Sequence, residues 1–141
     1  MRTLTTLFIA LFLSINFSNA QEDTTGQTVT VTINNITNNN GHVLLSLHTK
    51  DTFMKGPGIK SVKSEIVDGK ITATFENISP GTYAVMALHD ENDNNTMDFE
   101  DNGMPKESYG MSNNPMSYGP PQFATAKFDL ATEDLEMNIR F

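Results

Sequence analysis

The chain has 141 residues, 17 acidic and 9 basic, with no cysteine and no tryptophan, for a formal charge of −8. One domain of this size buries a core unaided, and without cysteine it has no disulfide framework. A surface this acidic repels nucleic acid and anionic lipid and favours cations.

Residues 1–20 read as a secretory signal. Arg2 precedes the apolar run Leu7 to Leu13, and Ser18-Asn19-Ala20 supplies the small-residue cleavage pattern. The apolar stretch is too short for a bilayer span, which needs roughly 20 residues, and no later segment replaces it. Cleavage near Ala20 implies export to the periplasm or beyond. It also removes Arg2, leaving 8 basic against 17 acidic residues, a charge of −9.

A polar lead, 21–28, brings the chain to one domain over 29–141. Val29-Thr30-Val31-Thr32-Ile33 alternates with period two, the pattern of a half-buried strand. Asn38-Asn39-Asn40-Gly41 reads as a turn. Val43, Leu45 and Leu47 then face one way and His42, Ser46 and His48 the other, so these two strands are expected to form a hairpin with the histidines outward. Phe53 to Gly58 is a connection. Val62 to Val67 reads as an edge strand, Asp68-Gly69 as a tight hairpin turn, and Ile71 to Phe75 resumes the alternation.

Thr82 to Leu88, after Pro80-Gly81, is apolar at both parities, as suits a central strand covered on both faces. It ends at His89. From Asp90 to Gln122 there is no strand signal; Phe123 to Leu130 and Leu135 to Phe141 then read as strands. About seven short strands argue for an all-β antiparallel sandwich with one long loop insert. Loops of this length in compact domains are commonly functional or disordered.

The insert opens with Asp90-Glu91-Asn92-Asp93-Asn94-Asn95-Thr96-Met97-Asp98-Phe99-Glu100-Asp101. Calcium takes six to eight hard oxygens at about 2.3–2.6 Å, and a coiled loop turns alternate side chains inward. Asp90, Asn92, Asn94, Asp98 and Asp101 fall at positions 1, 3, 5, 9 and 12, with Thr96 offering its carbonyl at position 7. Position 6 requires positive φ, which Asn95 tolerates in place of the usual glycine. Asp101 is shorter than the usual position-12 glutamate. Six carboxylates lie within 90–101, while Ile71 to Pro105 contains no Lys or Arg. Such a cluster repels itself unless a cation neutralises it.

Tyr109, Asn113 and Asn114, with His89 and Glu107, form a candidate surface for an unidentified protein or glycan. Bracing of the loop explains them equally well. A hydrolase-type site at His89 and Asp90 would lack a nucleophile motif. Met97, Met104, Met111 and Met116 suggest copper, although their spacing is irregular.

Several motifs in order resemble the bacterial secreted family called domain of unknown function 2141. They are Phe75, Pro80-Gly81-x-Tyr83-Ala84, His89-Asp90-x-Asn92-x-Asn94-x-x-x-Asp98, Gly103-x-Pro105-x-Glu107-x-Tyr109-Gly110-x-Ser112-Asn113-Asn114 and Pro121-x-Phe123. Asn95 and Ser108 stand where members often carry glycine. The resemblance implies a transthyretin-like or carboxypeptidase-regulatory-like sandwich and no activity. The expected function is a non-catalytic, calcium-stabilised binding module. The alternative is a purely structural or interaction domain without an ion.

Overall fold

The computed structural model describes residues 26–141, so the signal and residues 21–25 of the polar lead lie outside the described residues. Eight strands and one helical turn follow in order: β1 (Gln27–Ile33), β2 (His42–His48), β3 (Lys60–Glu65), β4 (Ile71–Ile78), β5 (Gly81–Asp90), β6 (Tyr109–Met111), α1 (Phe123–Ala126), β7 (Phe128–Leu130) and β8 (Leu135–Asn138). They form two packed sheets, a sandwich. One is ordered β4-β1-β8; the other is β3-β2-β5-β6, with β7 pairing β5 beyond this path. Every strand pair is antiparallel except β1 with β8, which run parallel.

Period-two alternation builds the space between the sheets. Val29, Val31 and Ile33 from β1 meet Val43, Leu45 and Leu47 from β2, all fully buried, with Phe75, Val85 and Ile139 packed among them. Burying a side chain of this kind contributes about 1.5–3 kcal/mol.

The expected hairpin of the first two strands does not form. β1 pairs β4 and β8, whereas β2 pairs β3 and β5, in the opposite sheet. Residues 34–41 arch from sheet to sheet, with Ile36 buried and its N–H donated to the Gly69 carbonyl at 3.1 Å. Burying Ile36 in the core draws the connection across it. The Asp68-Gly69 turn forms with both residues at positive φ, 52° and 69°, closed by reciprocal 3.0 Å bonds between Val67 and Lys70. Its arms then part, since β3 joins β2 while β4 joins β1.

Two further expectations are corrected near the C-terminus. Residues 123–126 form one helical turn, closed by Lys127 N–H to the Phe123 carbonyl at 2.9 Å, and the strand is only Phe128–Leu130. The insert also contains a strand of its own, β6. Its short Tyr-Gly-Met sequence carries no alternation to signal it, and its place is fixed by pairing with Met86 to Leu88.

The outer face of the five-stranded sheet is covered, as the two-sided apolarity of β5 predicts. Phe53, Ala84, Met111 and Ala126 make a second buried cluster there, with Met86, Tyr109 and Phe123 packed against it. The insert and the 49–58 connection therefore form a third layer. Its presence corrects the expected exposure of His42 and His48, which lie on that outer face yet are buried.

Candidate functional site

The register of β2 and β5 sets out the outer face in rows: His42 opposite Asp90, Leu44 opposite Leu88, Ser46 opposite Met86, and His48 opposite Ala84. Asp90 is thus both the last residue of β5 and the first of the acidic loop. Fully buried, it supplies the loop's anchor.

Its carboxylate accepts two backbone N–H groups, Oδ1 from Asn94 at 3.1 Å and Oδ2 from Asn95 at 2.7 Å. Both bonds require the chain to coil back, and Asp93 and Asn95 adopt φ of 60° and 61° to allow it. Short polar residues visit this left-handed region at least cost after glycine. Within the coil, Asp98 Oδ2 accepts from the amides of both Asn92, at 2.6 Å, and Asn94, at 3.0 Å. Asn94 Oδ1 accepts the N–H and hydroxyl of Thr96. Asp90, Asn92, Asn94, Thr96 and Asp98 are therefore brought together.

Asp101 is not among them. It is exposed at the tip of a narrow hairpin in which Lys106 N–H bonds the Asp98 carbonyl and Gly103 N–H the Glu100 carbonyl. The acid that clamps the loop is Glu107, whose Oε1 accepts Glu91 N–H at 3.0 Å and whose Oε2 accepts Asp98 N–H at 3.1 Å. A twelve-residue ligand template stops before this residue. The only sequence signal for it was its place in the family-like Gly103 to Asn114 motif.

His42 was missed as a partner of the loop. Its Nδ1 bonds Asp93 Oδ1, and its Nε2 lies 3.3 Å from Asp90 Oδ2 but off the hydrogen-bond direction, leaving that buried nitrogen without a hydrogen-bond partner among the described residues. His42, Asp90 and Asp93 form a compact donor set of imidazole and carboxylate. Their meeting depends on the β2–β5 register, which sets His42 opposite Asp90, and has no local signature.

His89 is fully buried and Glu107 nearly so. The ring of His89 stacks on Phe141, 6.2 Å between centroids, and its Nε2 pairs with the Asn40 carbonyl at 2.8 Å. Asn113 and Asn114 act as braces. The Asn113 amide donates to the Lys127 carbonyl at 2.7 Å, and Asn114 bonds both the Asn138 carbonyl and the Arg140 N–H. Of the five proposed surface residues, Tyr109 faces an apolar cavity and Asn114 borders a second hollow beside Met111 and Met116. Met97 lines the first cavity and Met104 is exposed, so the four methionines do not form one set.

Among the described residues no helix is long and apolar enough to cross a membrane. No curated protein and no solved structure matches the chain. A family model described as an uncharacterized protein conserved in bacteria, DUF2141, matches residues 31–138, which include β2 to β8 and the entire acidic loop. The chain belongs to this family, DUF2141.

Proposed function

We propose that the protein is an exported, non-catalytic binding module whose insert is ordered by a calcium ion held in the 90–98 coil. The observation that carries this reading is the coil itself. Asp90 is fixed by two N–H groups of its own loop while Asn92 and Asn94 turn their side chains onto one oxygen of Asp98. A half-turn of either amide brings its oxygen toward Asp98 at the expense of the loop N–H it now accepts, that of Asn94 at 3.2 Å for Asn92 and that of Thr96 at 2.9 Å for Asn94, an exchange that a bound ion would offset. Together with the Thr96 carbonyl and water, these groups supply hard oxygen donors of the kind calcium prefers. The leader-like residues 1–20 support export.

Calorimetric titration of the purified protein with calcium tests the reading. Saturable heat and a melting temperature that rises with calcium and falls on chelation are expected, because an ion that binds only the folded state stabilises it. A protein that shows neither is the ion-free structural domain.

A further inference from the structure

We propose that the cavity between the outer face of the five-stranded sheet and the insert binds a small, uncharged, largely apolar molecule that carries one hydrogen-bonding group. The cavity measures about 330 Å³, at the lower end of the ~300–1,000 Å³ typical of small-molecule sites. Leu44, Met86 and Leu88 form its floor, and Met97, Phe99 and Pro105 from the insert form a wall. Phe99 and Pro105 face each other across the Asp98–Lys106 hairpin, so one small element supplies most of that wall.

Two features define the ligand. First, no Asp, Glu, Lys or Arg among the described residues lines the cavity. A charged ligand would lose its hydration with no counter-charge, a cost of several kcal/mol. Second, the floor holds one polar pair. Ser46 and His48 are two apart on β2 and share a face, and His48 Nε2 lies 2.8 Å from Ser46 Oγ. Burial holds the His48 pKa below its ordinary 6.5, with the hydrogen bond to Thr52 pulling the other way, so the imidazole is neutral at pH 7. The neutral pair retains a hydroxyl with spare hydrogen-bonding capacity toward the cavity. Methionines at three positions, Met54, Met86 and Met97, give a lining that adapts to shape more than it selects it.

This proposal names a ligand class for the binding role above and uses the insert as a wall, but it does not require the ion. Three probes of one shape test it: 2-naphthol, 2-methylnaphthalene and 2-naphthoate, titrated into the full-length protein in excess calcium. Binding is followed by naphthyl fluorescence and by amide chemical shifts. Naphthol should bind saturably and shift the amides of Leu44, Met86, Leu88 and Tyr109. Naphthoate should bind at least ~10-fold more weakly, because its charge must be desolvated. Ser46→Ala should weaken naphthol ~3- to 10-fold and leave methylnaphthalene unchanged, the loss of one neutral hydrogen bond. Leu88→Trp, which fills the cavity, should abolish binding, and Tyr118→Ala, in the exposed second hollow, should not affect it.

Equal binding of naphthol and naphthoate, or shifts centred on Met116 and Tyr118, overturns the proposal. Should Leu88→Trp disturb the fold, the shift map and the Ser46→Ala ratio decide alone. A protein that binds naphthol but gives no calcium heat sinks the ion reading and leaves this one standing. Calcium heat without naphthol binding does the reverse.

Discussion

Glu107 accepts the backbone N–H of Asp98 while its second oxygen takes that of Glu91, so one buried carboxylate closes the chain onto points nine and sixteen residues before it. The same contact fixes both ends of the acidic coil and the base of the hairpin that walls the cavity. Replacing Glu107 by Ala is expected to lower stability by about 3 kcal/mol, since hydrogen bonds to a charged group contribute about 1.5–3 kcal/mol each and add incompletely. Urea denaturation measures the loss. Faster amide exchange at Glu91 and Asp98 than in Glu107→Gln would place the effect in the loop.

Asn95 holds position 6 of the coil at φ 61°. Asn95→Ala puts a less tolerant residue into left-handed backbone and should cost about 1–2 kcal/mol. Asn95→Gly is expected to leave stability within about 0.5 kcal/mol and to bind calcium at least as tightly. A thermal melt of each variant with and without calcium compares them. Equal melting temperatures for Ala and Gly would show that the backbone conformation is not what Asn95 provides.

Gly41 approaches β5 so closely that an added Cβ would overlap the Asp90 carbonyl oxygen, and its φ is 61°. Gly41→Ala therefore combines a backbone clash with a left-handed residue and is expected to destabilise by more than about 3 kcal/mol. Since Asp90 carries the coil, calcium-dependent stabilisation should fall with it. Retention of wild-type melting behaviour would contradict the packing.

Ser112 is fully buried and joins three elements. Its Oγ donates to the Ala126 carbonyl and accepts Val85 N–H at 3.0 Å. Ser112→Ala leaves both groups buried without that partner, and a loss of about 1–3 kcal/mol is expected. Chemical denaturation reads it. A neutral result would mean that water replaces the hydroxyl.

His48 gives stability a pH dependence. Its folded pKa is lowered by burial, with the Thr52 bond opposing. Above pH 6.5 the residue is neutral both folded and unfolded and contributes no slope. As pH falls below 6.5, the unfolded chain takes the proton first, so stability declines until the folded pKa is reached and then levels. Melting temperatures between pH 7.5 and pH 5 should show this decline, and His48→Gln should flatten it. An unchanged slope in the variant would assign the effect to other groups.

Much of the sandwich was legible in the chain because its strands are short and alternate with period two. Val29 to Ile33 and Ile71 to Phe75 each specify one buried face wherever they pair. The two-sided apolarity of Thr82 to Leu88 likewise foretold a covered outer face. Pairing partners were not legible. Alternation states which face is buried and nothing about the neighbour, and the assumed hairpin of β1 with β2 is an arch between sheets.

The acidic loop divides in the same way. Spacing alone gave Asp90, Asn92, Asn94 and Asp98, and the need for positive φ at Asn95, because these are consequences of a chain coiling on itself over a few residues. At position 12, Asp101 sits on an exposed hairpin tip, and Glu107 does the closing. His42 reaches Asp90 and Asp93 only through cross-strand register, and Ser46 and His48 meet a cavity only because a distant insert folds over them. By itself the sequence determined local conformation and which side chains seek burial. The tertiary structure decided which remote groups meet, since that depends on how the sheets stack and where the insert packs.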